Sequence, residues 1–148
     1  MQKLNFDLGL KEYEIGGGVL RFNPSDPNVY ARFVEMSGKL TEIEQKLVQK
    51  AKSSPKENAG ETMLMLLKDA DSEMKGLLRE VFGAHNDFDA IFCGANIAGV
   101  GANGERIITN FIHAIQPILE AGAKRCAKQQ VNQAKLNREQ RRALAKKK

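Results

Sequence analysis

The sequence pattern that most resembles a known chemical motif is GVGANG, residues 99–104, which fits G-x-G-x-x-G. In a dinucleotide site, such glycines let the backbone approach a pyrophosphate at a helix N-terminus. A helix is predicted to follow from about residue 105, but residues 88–95 read as a short helix ending at Gly94 rather than as a strand. The Lys-, Arg-, Gln- and Ala-rich sequence after residue 123 has no β-branched run for a second parallel strand. We therefore interpret the glycines as a flexible loop that lets the next helix fold back.

The residues that most often bind metals or act as nucleophiles are sparse. His85 and His113 have no spacing that brings either near both cysteines, so a zinc site is not predicted. Cys93 and Cys126 form no C-x-x-C pair, and neither has the flanking signature of a catalytic nucleophile. We expect both to be reduced, buried or half-buried thiols in a cytoplasmic protein.

Two carboxylates, Asp87 and Asp89, flank Phe88. They are more consistent with a helix cap and a negatively charged first turn than with a catalytic pair. The sequence thus predicts no catalytic, cofactor-binding or metal-binding residue, and the expectation is that the protein is not an enzyme.

Composition and charge describe a body with a separate tail. The chain has 148 residues, 42% hydrophobic and 28% charged, which suits one globular domain, predicted over residues 1–123. No apolar run approaches the roughly 20 residues that span a bilayer, and the N-terminus does not resemble a signal peptide. Residues 124–148 carry ten Lys or Arg and one acid, whereas residues 1–123 carry 13 bases and 17 acids. The net charges are +9 and −4, so the extension is expected to have its own role.

The N-terminal residues 1–23 predict a β-hairpin. Apolar residues alternate with polar residues or glycine at Leu4, Phe6, Leu8 and Leu10, the period of a half-buried strand. Three glycines at residues 16–18 then separate two short apolar runs, and glycine supplies the positive φ angles of a tight turn. A lone hairpin is marginal in water, so it must pack on a helix or pair with another chain.

A hinge and a long amphipathic helix follow. Asp26 is a good N-cap and Pro27 a good first helical residue. The predicted helix over residues 26–53 has apolar residues spaced four and three apart: Val29, Phe33, Met36, Leu40, Ile43 and Leu47. This stripe either packs on its own domain or forms a seam with another subunit. Under the second alternative, Phe33, Met36 and Leu40 are candidate partner-binding residues.

Two further helices are predicted, over residues 60–82 and 105–122. The first is closed by Gly83 and is expected to form an antiparallel hairpin with the helix before it. Its methionines, Met63, Met65 and Met74, either fill the core or form an adaptable binding surface. Pro117 should kink or split the second helix. The predicted fold class is mainly α (α+β): an N-terminal β-hairpin, a bundle of three to four amphipathic helices, and a basic helical or disordered tail.

The tail, residues 124–148, contains the second set of candidate partner-binding residues: Arg138, Arg141, Arg142, Lys146, Lys147 and Lys148. Asn137 is predicted to cap a last short helix over residues 138–148. The tail is a solvated extension, a protein-docking segment, or a phosphate-binding segment whose affinity falls with salt. No aromatic residue follows Phe111, so the stacking component of single-strand binding is missing.

Two stretches resemble a known family. The sequence LGLKEYEIGGGVLRFNPSDPNVYARF, residues 8–33, is similar to the start of small tail-assembly proteins of long-tailed bacteriophages or prophages of Gram-positive bacteria. The ending NREQRRALAKKK, residues 137–148, resembles the Asn-Arg-x-x-Arg-Arg tails common in such proteins. Together they cover about a quarter of the chain.

The resemblance implies a tail assembly chaperone: a mostly helical, self-associating protein in the host cytoplasm. It would coat the tape measure protein and recruit tail-tube subunits before leaving the finished virion. Long apolar stripes would offer a groove for partner helices, and the basic tail would attract an acidic partner. The alternatives are a nucleic-acid-binding or packaging accessory protein, and a structural tail or connector component.

Overall fold

The computed structural model describes residues 1–53, 57 and 59–146. It is mainly helical and begins with a two-stranded antiparallel hairpin, which confirms the predicted fold class. The elements in chain order are β1 (Lys11–Ile15), β2 (Gly18–Phe22), α1 (Pro27–Ser53), α2 (Ala59–Phe82), α3 (Phe88–Ile91) and α4 (Ile107–Lys146).

Residues 1–10, here called the N-terminal arm, precede the hairpin and form no strand, so the strand predicted from Leu4 to Leu10 is wrong. In β1, the odd-numbered Tyr13 and Ile15 pack against the core. The apolar residues of the arm are even-numbered, and successive strand residues point to opposite faces. An extension of β1 would therefore turn them away from the core, and they remain exposed.

The three-glycine run does more than turn the chain. Gly16 has a φ of +55°, and a Cβ atom there would lie much closer to the carbonyl oxygen of Ile91 than the 3.0 Å that real Cβ atoms respect. The neighbouring Gly17 donates its N–H to the same oxygen at 3.0 Å. The hairpin turn thus packs directly on the end of α3. Side chains at residues 16 and 17 would push the turn away from α3.

Helices α1 and α2 form the predicted antiparallel pair. Asp26 caps α1 by accepting from the N–H of Asn28 at 2.9 Å. Gly83 ends α2 with a φ of +105° and donates its N–H to the carbonyl of Arg79 at 2.9 Å. The facing sides of the two helices contribute half of the buried core residues: Val29, Phe33, Met36, Leu40, Leu47, Ala70, Met74, Leu78, Val81 and Phe82.

An aromatic cluster joins this pair to the other elements. Phe82 of α2 lies 5.0 Å from Phe22 of β2 and 6.0 Å from Phe111 of α4, measured between ring centroids, with near-perpendicular rings. Phe88 of α3 packs edge-on against Phe111 at 6.5 Å. Such edge-to-face pairs add to the stabilisation that burial alone provides. The cluster therefore couples the hairpin, α2, α3 and α4 into one core.

Asn86 fixes the hairpin to the end of α2. Its side chain accepts from the N–H of Arg21 at 2.7 Å and donates to the carbonyls of Arg21 at 3.1 Å and Phe82 at 2.9 Å. The residue is 5% exposed, so these bonds satisfy polar groups that water does not reach. They also close the outer edge of β2 at Arg21.

Helix α4 is continuous, so the predictions that Pro117 splits it and that Asn137 begins a separate helix are wrong. Ile115 and Leu119, on either side of the proline, are each 1% exposed. Their packing holds both turns in place despite the donor that proline removes. The helix runs antiparallel to α1: Arg106, just before it, lies 4.0 Å from Glu44, and Gly122 lies against Pro24.

Candidate partner-binding surfaces

An apolar groove opens where α1 ends and α2 begins. Its volume is about 520 Å³, within the range of ligand-sized sites between helices. One wall comes from each helix and the third from the loop before α4. The lining residues are: Leu47, Val48, Ala51, Lys52, Met63, Leu67, Ala98, Gly99, Val100 and Arg106.

The floor of the groove is buried and its rim is not. Leu47 is 6% exposed and Ala98 is fully buried. At the rim, Val48 is 48% exposed and Val100 is 63% exposed. An apolar floor bordered by exposed apolar side chains is typical of a surface that binds another polypeptide.

The loop wall is held on α2 by a buried ion pair. Lys75 is 7% exposed, and its ammonium lies 3.1 Å from Asp71 and 3.3 Å from Asp89 and donates to the carbonyl of Ala95 at 3.2 Å. The other oxygen of Asp71 accepts from the N–H of Ile97 at 2.8 Å. A buried charge is tolerated when it is paired and fully hydrogen-bonded, as here.

Two further side chains hold the same loop. Asn96 donates to the carbonyl of Leu67 at 3.0 Å and accepts from the N–H groups of Ala98 and Gly99 at 2.9 and 3.1 Å. Arg106 donates to the carbonyl of Ala98 at 2.6 Å. These bonds place Ala98 and Val100 against the groove before any partner binds.

The G-x-G-x-x-G motif lies in this wall. It is preceded by the short helix α3 and an irregular segment, as the sequence predicted. Gly101 donates to the carbonyl of Glu105 at 2.8 Å, and Ile107 donates to that of Gly99 at 2.9 Å. The segment is therefore a hydrogen-bonded turn that leads into α4. The N–H groups of Gly101 and Ile107 already have acceptors within the chain.

The partner-binding residues predicted on α1 lie in the core. Phe33, Met36 and Leu40 are 6%, 2% and 6% exposed and belong to the face that packs within the domain. Of the two alternatives for this stripe, the structure shows packing on the chain's own domain. Of the α2 methionines, Met74 fills the core and is fully buried. Met63 instead lines the groove, and Met65 is 59% exposed, so these two are available to a binding surface.

The C-terminal half of α4 is a basic helix exposed from residue 127 to 145. We call its repeated cations the basic stripe, since their spacing of four, seven, three and four places them on one helix face: Lys124, Lys128, Lys135, Arg138 and Arg142. Arg141 lies off this face. Lys146 is the last residue of α4, and the predicted contacts of Lys147 and Lys148 lie outside the described residues.

The groove itself was missed at the sequence level. Its signal is the adjacent apolar pair Leu47 and Val48, which widens the α1 stripe where the helix is about to end. The contribution of Val100 was hidden within the glycine-rich motif. The exact shape of the site depends on loop hydrogen bonds, which periodicity does not reveal.

The remaining reactive residues have ordinary surroundings. Asp87 caps α3 by accepting from the N–H of Ala90 at 3.1 Å, as predicted. Cys126 is half-buried, as expected, but Cys93 is exposed because it follows α3 in the surface turn against Gly17. Across residues 1–53, 57 and 59–146, no three His, Cys, Asp or Glu side chains are grouped to hold a metal ion.

Within the described part of the chain, no helix combines the length and apolarity needed to cross a bilayer. Comparison with protein-family models, curated proteins and solved structures found no match to this chain.

Proposed function

We propose that this protein is a phage tail assembly chaperone that holds the tape measure protein in the host cytoplasm and recruits tail-tube subunits. The observation that carries the proposal is the apolar groove between α1, α2 and the loop before α4. Amphipathic helices bind such grooves by inserting apolar residues spaced three and four apart. A long, mostly helical tape measure protein would present many such segments, and the groove would shield them from water.

The basic stripe supports the recruiting step. Its five cations extend along about 27 Å of exposed helix, projecting beyond the domain. A positively charged surface speeds the encounter with an acidic partner surface and favours that partner over uncharged or basic ones. The groove and the stripe lie on different parts of the chain, so two partners can be held at once.

A charge in the groove should weaken tape measure binding. Val48→Glu places a carboxylate at the apolar rim, where a bound helix would bury it without a partner. We expect at least about a tenfold loss of affinity, since 1.4 kcal/mol already has that effect. The measurement is the amount of tape measure protein that remains soluble and co-purifies when both are co-expressed.

Val34→Glu is the matched control. Val34 is also an exposed valine of α1, at 54%, and lies two heptads before Val48, about 21 Å along the helix and outside the groove. Normal co-purification with Val34→Glu and loss with Val48→Glu would support the proposal. Equal co-purification with both variants would contradict it, as would a wild-type chain that neither solubilises nor retains the tape measure protein.

The basic stripe also favours a second candidate function, nucleic-acid binding. If all five cations contact phosphates of duplex DNA, the logarithm of affinity should fall by about 4.5 per tenfold rise in salt. Replacing Lys135, Arg138 and Arg142 with glutamate should then eliminate DNA retention at low salt while leaving tape measure binding intact. Retention that is unchanged by this triple replacement would exclude the stripe as a nucleic-acid site.

A further inference from the structure

The N-terminal arm carries apolar side chains that its own domain does not cover. Leu4 is 85% exposed, Phe6 78% and Leu8 56%. The arm is anchored near its base, where the side chain of Asn23 donates to the carbonyl of Leu8 at 3.1 Å. Beyond this anchor, Phe6 and Leu4 continue the alternation of apolar residues that begins at Leu8.

The groove of the same chain is beyond the reach of this arm. The anchor, at Asn23, lies next to the start of α1, whereas Leu47 in the groove follows Pro27 by twenty residues, about 30 Å of helix. A fully extended chain gains at most about 3.6 Å per residue. Phe6 therefore lies within about 7 Å of the anchored Leu8, and Leu4 within about 14 Å.

The apolar side chains of the arm are nevertheless suited to the apolar lining of the groove. Side chains two residues apart in an extended peptide lie on one side, about 7 Å from each other, and could follow the apolar floor. Burying the apolar side chains of two exchanged arms and the groove surfaces they cover removes on the order of 1,500 Å² from water. That area is typical of a specific interface.

We propose that the arm of one copy occupies the apolar groove of a second copy, reciprocally, in a two-fold dimer. Arm and groove lie at opposite ends of α1, so two copies arranged side by side and antiparallel bring each arm to the other's groove. This isologous arrangement closes on itself and leaves neither surface exposed. The inference rests on the same groove as the proposed function, and it implies that a partner helix must displace the arm.

The oligomeric state of the full chain, measured by sedimentation without any partner, tests the proposal. Phe6→Asp should weaken dimerisation at least a hundredfold, about tenfold for each of the two arms. The control Val131→Asp changes an apolar residue that is 54% exposed on α4 and should leave the dimer intact. A wild-type chain that is monomeric at high concentration, or a dimer unaffected by Phe6→Asp, would overturn the proposal.

A disulfide experiment locates the contact. One copy carries Phe6→Cys and the other Val48→Cys, both with Cys93→Ser and Cys126→Ser, and the mixture is oxidised. The expected product is a crosslinked pair in high yield, and pairing Phe6→Cys with Val34→Cys should yield little. Equal yields from both pairs would overturn the arm-in-groove contact. Because no tape measure protein is present, such a failure leaves the chaperone proposal to its own test.

Discussion

Gly122→Ala is expected to lower the free energy of unfolding by about 3 kcal/mol or more. Gly122 lies inside α4 where the helix crosses the turn before α1, and an added Cβ would overlap the carbonyl oxygen and carbon of Pro24. Both obstacles are backbone atoms, so no side-chain rotation relieves the overlap. Either α4 or the Pro24 turn must move, which disturbs the packing of Leu119, one turn earlier and 1% exposed. Urea denaturation followed by circular dichroism measures the change.

Two other helical glycines supply matched controls. Gly38 of α1 and Gly76 of α2 have nothing within 4 Å of the position that a Cβ would occupy. Replacing either with alanine should raise the free energy of unfolding by about 0.5–1 kcal/mol, because alanine favours the helix over the unfolded chain. The same substitution thus has opposite signs at different sites. A neutral or stabilising Gly122→Ala would show that α4 does not pass against Pro24.

The second large effect is expected at the ion pair that holds the groove wall. Asp71→Ala should lower the free energy of unfolding by about 3–5 kcal/mol. It removes the nearest counter-charge from Lys75, whose side chain is 8% exposed, and leaves the N–H of Ile97 without its acceptor. Asp89 stays 3.3 Å from the ammonium but is largely exposed, so it compensates poorly. Chemical denaturation of the wild-type chain and of Asp71→Ala gives the difference in the free energy of unfolding.

Lys75→Met is the control for this prediction. It removes the buried charge but keeps an unbranched side chain of similar size, and Asp71 keeps its bond from Ile97 and some access to water. We expect a smaller loss than for Asp71→Ala, because the carboxylates left behind, Asp71 and Asp89, are 18% and 67% exposed and reach water, whereas the Lys75 ammonium does not. If Lys75→Met lowered the free energy of unfolding as much as Asp71→Ala, the loss in Asp71→Ala could not be attributed to an unpaired buried ammonium.

The parts of the fold that followed from sequence are those governed by local rules. Asp26 and Pro27 start α1, Gly83 ends α2 and Asp87 caps α3, because each satisfies helix-terminal groups within a few residues. The α1 stripe likewise predicted its buried face. In these segments, side-chain spacing and backbone preference point to the same structure.

The errors arose where distant contacts decide the outcome. The alternation from Leu4 to Leu10 is a valid strand pattern, but its apolar residues have the wrong parity to join the core face of Tyr13. Pro117 argues for a helix break until Ile115 and Leu119 are seen to pack on the same core. Local preference yields to tertiary packing in both cases.

The groove was harder to predict from the sequence than the N-terminal arm or the continuity of α4. It forms because Val48 and Met63, 15 residues apart, meet a loop that Asp71 and Asn96 hold in place. Neither the pairing of the helix ends nor the loop hydrogen bonds leave a periodic trace in the sequence. The basic stripe, by contrast, is visible as a spacing of cations once α4 is known to be continuous.

The central claim is that the groove is where this chain holds another polypeptide. Its most direct test is site-specific photocrosslinking: a photoreactive residue replaces Val48 or, in a second variant, Val34, and each variant is co-expressed with the tape measure protein. The account predicts a covalent adduct with the tape measure protein from position 48 and little from position 34. No adduct from position 48, or equal adducts from both positions, would contradict it.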